Sequence, residues 1–204
     1  MHFSREPRIH PVPLLSLRPT QITVGMREVE AKRRAWREQP ARKKGDFLGR
    51  HLIPVIWGPK EQRYIIDHHH LALALHQEGV ADVATTVVAD LRKLSRDAFW
   101  IYLENRGWLH PYDEEGRRKS HRSLPRRITG LVDDPFRSLA GALRTQGGFA
   151  KDTTPFSEFL WADFLRRRMR RKRVQRDFGA ALREALELAR SADADYLPGW
   201  CGPL

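Results

Sequence analysis

Between Ile53 and Val88 the apolar pattern changes character several times in fewer than forty residues, and this segment constrains the fold more than any other. Ile53-Pro54-Val55-Ile56-Trp57 reads as a strand and Gly58-Pro59-Lys60-Glu61 as a turn. Arg63-Tyr64-Ile65-Ile66 is a second short strand of β-formers. Asp67 stands where a helix from about His68 to Glu78 needs an N-cap, and Gly79 ends that helix. Val83 to Val88 supplies a third, β-branched strand. The order strand, turn, strand, helix, strand predicts a small mixed sheet.

The flanks extend this unit. The N-terminus, with Pro7, Pro11 and Pro13, reads as an extended lead-in, with a short strand over Val12 to Leu17 and a turn at Arg18-Pro19-Thr20-Gln21. A helix is expected over Val24 to Arg37, with Val29, Arg33 and Trp36 at helical spacing. The basic stretch Pro40 to Gly49 is expected to be a loop. Beyond Asp90 the pattern turns helical. Ser95 caps a segment that Gly107 stops, and Asp134 with Pro135 opens another carrying Phe136, Leu139, Ala140 and Leu143 on one face. Thr154-Pro155 opens a third, and a last amphipathic helix runs from about Asp177 to Arg190 before an irregular tail from Tyr196. The fold class is α+β: a mixed-sheet core over 1–92 and a helical extension over 93–204, with a basic helix near 155–173.

Composition narrows the function classes. Hydrophobic residues make up 41% of the 204, enough for a real core, so global disorder is excluded. The formal net charge of +12 attracts polyanions, of which nucleic acid and nucleotides are the commonest in a cell. The lone Cys201 excludes an intrachain disulfide and a multi-cysteine zinc site. Pro and charge interrupt every apolar stretch before Arg18, and no segment reaches the roughly 20 apolar residues of a membrane helix, so the expected location is cytoplasmic.

Asp67-His68-His69-His70 carries the chemistry. A strand feeding a helix presents unpaired N–H groups and the positive end of the helix dipole, which suit phosphate. Histidines in that first turn donate when protonated and act as bases when neutral. Asp67 caps the helix or holds a metal. The plain alternative is three surface histidines behind a capping aspartate.

Ile65-Ile66-Asp67-His68-His69-His70-Leu71-Ala72-Leu73-Ala74-Leu75 resembles the strand-to-helix signature of the ParB/sulfiredoxin superfamily, and within it the ParB-like nuclease group. Leu17-Arg18-Pro19-Thr20-Gln21 precedes it. Asp134 to Gly141, Gly147 to Lys151 and Pro155 to Asp163 follow in the family's order. The resemblance implies a phosphate-gripping turn, written G-E-R-R in partition proteins and G-C-H-R in sulfiredoxin. In this chain the glycine falls at His68, the variable catalytic position at His69, the next basic position at His70 and the final arginine at Leu71. Without a thiol at His69, sulfiredoxin chemistry is excluded. Either Arg18, Arg27 or Arg137 replaces the arginine lost at Leu71, or the site no longer binds triphosphate. The related serine kinase uses a glutamate base from its N-terminal region, a part open here to Glu28 or Glu30. The resemblance thus implies His69, His70 and Glu28 as catalytic residues, phosphate or nucleotide held by His68, His69, His70, Arg18 and Arg137, and a metal, Mg²⁺, at Asp67. ATP, ADP or CTP would be the nucleotide.

The run Arg166-Arg167-Arg168-Met169-Arg170-Arg171-Lys172-Arg173 reads as a continuation of the third helix. Arg166, Arg167, Arg170, Arg171 and Lys172 are its candidate DNA-backbone contacts, set against a plain solvated helix end. Arg117 to Arg127 forms a second basic segment, a connector or a closing loop. Asp133-Asp134 suits either Mg²⁺ or an ordinary capped helix start. Trp161, Phe159 and Phe164 read as core. A nuclease or nucleotide-dependent phosphoryl-transfer enzyme is the leading expectation, a noncatalytic partition-like DNA adaptor the second, and a small-molecule kinase the third.

Overall fold

In a computed structural model, residues 11–203 are described; the expected lead-in over 1–10 lies outside them. Pro11–Pro13 (β1), Leu17–Pro19 (β2), Ile53–Gly58 (β4), Gln62–Ile65 (β5) and Asp82–Asp90 (β6) form one sheet in the order β1-β6-β4-β5-β2. Thr23–Val24 (β3) pairs in parallel with Val132–Asp133 (β7) as a separate two-stranded ribbon. In the main sheet β4 runs antiparallel to its hairpin partner β5 and parallel to β6. This is the mixed sheet expected, because a hairpin reverses the chain whereas a helical crossover restores its direction. The helices are Met26–Arg37 (α1), Lys44–Arg50 (α2), His69–Gln77 (α3), Arg96–Asn105 (α4), Pro135–Thr145 (α5), Ser157–Arg168 (α6), Arg171–Arg176 (α7) and Phe178–Arg190 (α8).

Strand alternation gives the sheet two apolar faces. Leu17, Val55 and Ile65 face α1 and α3, where they pack with Val29, Trp36 and the buried run Leu71 to Leu75. Ile56 and Tyr64 face the other way, onto Phe99 and Leu103 of α4. Gly58 makes that second face possible, since a Cβ there would sit 2.7 Å from the Tyr64 ring and 2.8 Å from the Phe99 ring. A third cluster joins α5, α6 and α8 around Phe136, Leu139, Trp161, Phe164 and Ala185. Phe149 stacks on Trp161 at 4.5 Å, and the Trp161 indole N–H donates to the Pro198 carbonyl at 2.9 Å. That contact ties the irregular tail to the core.

Three local expectations are corrected. Residues expected as a loop before Gly49 form α2, held by Phe47 edge-on to Trp36 at 5.5 Å. Helix α3 starts at His69 rather than His68, and Asp67 does not cap it. The basic run is not one helix. It breaks at Met169, whose extended backbone (φ −124°, ψ 147°) buries the thioether in the helical core. A helix ringed by arginine has no apolar face to bury. The break supplies one through Met169 and Val174 and splays the guanidinium groups toward separate carboxylates.

Candidate functional site

The site forms where β5 ends and α3 begins. The Asp67 carboxylate turns back on its neighbour, accepting the His68 N–H at 2.6 Å. His68 takes a left-handed conformation (φ 64°, ψ 24°). The resemblance sets glycine at this position, the residue that adopts such angles without strain. Histidine tolerates it better than most side chains. The reversed backbone drives the next two residues inward, and both His69 and His70 are buried.

Once inside, the two rings act as acceptors. His69 Nε2 accepts the Thr20 N–H at 3.1 Å, and His70 Nε2 accepts the Gly25 N–H at 3.0 Å. An imidazole that accepts at Nε2 keeps its proton on Nδ1 and is neutral. Burial enforces the same state: it pushes His69 down to about 3 against the opposing pull of Asp67. Burial, then the Arg137 guanidinium, pushes His70 well below the usual range. The sequence leaves surface histidines open at this turn; His69 and His70 are instead interior struts to the loops after β2 and β3.

A third histidine joins them. His110 donates its backbone N–H to the Thr20 carbonyl at 2.9 Å, and its ring lies 3.9 Å from Phe159 and 4.8 Å from Phe156. Burial, with Arg137 and Arg166 nearby, lowers it to about 3. No motif marks His110, which sits in a connecting segment, and its sequence carries no signal for this role.

Two arginines from the helical half complete the cluster. Arg137 Nη1 lies 3.2 Å from Glu28 Oε2, which is itself 3.7 Å from His70 Nε2. This is a charge contact outside hydrogen-bond geometry. Among the described residues, Nε and Nη1 of Arg137 are buried without an acceptor. Arg166 pairs with the buried Asp134 at 2.6 Å. Burial raises Asp134 in spite of Arg166.

Asp133-Asp134-Pro135-Phe136-Arg137-Ser138 holds the two halves of the chain together. Asp133 accepts the Met26 N–H at 2.9 Å and so caps α1, while Asp134 accepts the Phe136 N–H at 2.9 Å and caps α5. Ser138 Oγ accepts the Arg27 N–H at 3.3 Å. Gly25 lets the helices meet, since a Cβ there would stand 2.8 Å from the Ser138 backbone nitrogen. The capped-start reading of the paired aspartates is therefore the one realised.

The remaining candidates disperse. Arg18 is level with Tyr64 across β2 and β5, so it faces α4, away from the histidines. Arg27 stacks on Phe178, its guanidinium carbon 3.8 Å from the ring centre. Leu71 is buried in the core under the sheet, where no cation can sit. Glu30 pairs with Arg33. Of the basic run, Arg166 is committed to Asp134, Arg167 pairs with Asp163, and Arg171 pairs with Glu115. Arg170 and Lys172 are exposed. Among the described residues no three His, Cys, Asp or Glu side chains gather as a metal-binding group. Asp67 alone does not make a donor set for a resident ion.

With its sheet, histidine turn and capped α5 helix in place, the chain belongs to the family described as "Putative ParB-like nuclease", which matches residues 10–167. Its structure is similar to the crystal structure of protein Atu1540 from Agrobacterium tumefaciens, with 50% sequence identity, a TM-score of 0.89, and coverage of 97% of this chain and 100% of that one. No curated protein matches. Among the described residues no helix is long and apolar enough to cross a membrane.

Proposed function

We propose that this protein processes phosphate esters of nucleic acid or nucleotides at the Glu28–Arg137 pair, and that phosphodiester hydrolysis is the reaction the pair suits best. One observation carries the reading: Arg137 is a buried guanidinium with two nitrogens lacking acceptors, beside a half-buried carboxylate. Phosphate oxygens supply the acceptors that such a guanidinium lacks. Arg137 would thus do the work of the family arginine that Leu71 replaces. The first-turn N–H groups of α3 add the positive end of a helix dipole. Glu28 takes the proton of the attacking water, whose oxygen bonds to phosphorus as the P–O bond to the leaving alcohol breaks, and the leaving oxygen takes a proton from solvent. His69 and His70 hold the loops that carry Thr20 and Gly25, so they position the site rather than relay protons. ATP, ADP or CTP would lay its phosphates on the same groups. Mg²⁺ carried in by those phosphates needs only a carboxylate or two from the protein, the part open to Asp67.

The test incubates the protein with labelled single- and double-stranded oligonucleotides, and with ATP, ADP and CTP, with and without Mg²⁺. Wild type is expected to turn over at least one of them. Glu28→Gln should lose about 10²- to 10⁴-fold in rate while retaining binding, and Arg137→Lys should bind more weakly. Binding without turnover by the wild type would overturn the enzyme reading in favour of a noncatalytic DNA-binding adaptor.

A further inference from the structure

We infer that the other face of the sheet carries a second site, a groove for single-stranded nucleic acid lined by Arg18, Lys60, Arg96, Arg122 and Arg126 against the half-buried Trp100–His121 pair, which the buried Tyr64 and Phe99 back. The groove is a cavity of about 630 Å³, closed by α4, the β4–β5 turn and the segment around His121. Among the described residues no carboxylate lines it. None of its five cations takes part in an ion pair among the described residues. The contrast with the Arg166 to Arg173 run is sharp, because most of those guanidinium groups are already matched. Unmatched positive charge is what releases counterions on binding a phosphate backbone.

Shape and wall chemistry select the occupant. A second hollow of about 320 Å³ adjoins the first, sharing Arg18, Gln62 and Arg126 and adding Arg63 and Arg127, with Glu61 its one carboxylate among the described residues. Together they follow edge strand β2 as a track longer than one nucleotide. His121 stacks on Trp100 with centroids 4.9 Å apart and planes 15° apart, and Trp100 meets Tyr64 and Phe99 edge-on. A basic track beside a rigid aromatic wall is the recipe for binding unpaired strands, whose bases have free faces to stack. A duplex keeps its bases stacked on each other and offers only its phosphates. Lys60 lines the groove from a left-handed turn residue (φ 60°), an angle lysine seldom takes.

The proposal stands apart from the catalytic reading, since the groove and the Glu28–Arg137 pair lie on opposite faces of the sheet. Its test is fluorescence anisotropy with a labelled twelve-nucleotide single strand, a duplex of the same sequence and a mononucleotide, over a salt series. The variants are Arg122→Glu/Arg126→Glu, both exposed, with Arg170→Glu/Lys172→Glu as the control. The groove variant should bind the single strand about tenfold or more weakly and lower the salt slope by about 1.4, while the control changes little. Glu28→Gln should bind like wild type. Equal affinity for mononucleotide and strand, preference for duplex, or loss confined to the control variant would each overturn the proposal.

Discussion

Acid should unfold this protein through its histidines, well before its carboxylates titrate. His69 and His110 are each held near 3 in the folded chain by burial, against about 6.5 in an unfolded one. Between those values the unfolded chain binds the extra protons, so stability rises with pH across the window and falls as pH is lowered. From pH 8 to 4.5 each ring costs roughly 3 kcal/mol, about 5 to 6 for the two. His70 shifts in the same direction and adds to the loss. Asp134, raised by burial, opposes it, because its folded form takes up a proton more readily than the unfolded one. Glu78, Asp90 and Asp113, lowered to about 2, contribute only below the usual carboxylate range. Domains are stable by only about 5–15 kcal/mol, so the loss is a large share of the total. Urea denaturation followed by tryptophan fluorescence at steps between pH 8 and 4.5 measures it. Near pH 5.5 the slope should be roughly 3 to 4 kcal/mol per pH unit, two to three protons. His69→Gln keeps an acceptor for the Thr20 N–H and should remove one proton from that slope. A flat profile from pH 7 to 5, or an unchanged slope in His69→Gln, would refute the reasoning.

Three further outcomes are expected. Asp134→Asn should cost about 1–3 kcal/mol in urea denaturation, because it removes the buried anion 2.6 Å from Arg166 and leaves that guanidinium only Asp163 at 3.4 Å. Adding Arg166→Met should recover much of that loss, which a double-mutant cycle reads directly. Gly58→Ala should cost about 1–3 kcal/mol by driving a methyl into the Tyr64 and Phe99 rings, measured as a lowered midpoint of thermal unfolding. Leu71→Arg, although it restores the family's arginine in the motif, should destabilise by several kcal/mol, on the order of the cost of an unpaired buried charge; improved nucleotide binding by a folded Leu71→Arg would refute that.

Local chemistry made the centre of the fold legible. Gly58-Pro59 and Gly79 punctuate the chain at the hairpin and at the end of α3, and Asp134-Pro135 starts α5 where a capping carboxylate predicts. Helix α2 was not legible. Its two glycines and the basic stretch that leads into it argue for a loop, and only the distant Trp36 makes a helix of it through Phe47. The candidate site was half legible. Glu28 and Arg137 could be nominated by resemblance, but nothing local says that residues 109 positions apart touch. The burial of His69 and His70 depends on backbone donors 49 and 45 residues away. One signal for it was present. Leu71 to Leu75 has no polar residue on any side, and a helix apolar all round is interior, so its first turn is interior too.

The cap that Asp133 places on α1 lies 107 residues downstream of the helix it closes. A chain emerging from the ribosome therefore exposes α1, β4, β5 and α3 long before it can supply that cap, the Ser138 hydroxyl for the Arg27 N–H or the Arg137 partner for Glu28. Until α5 has been synthesised the nascent protein can carry its histidine turn but cannot assemble the pair beside it. Completion of the pair is thereby deferred to the second half of translation, and a fragment cut short before Asp133 retains the histidine turn without Arg137 to set beside Glu28.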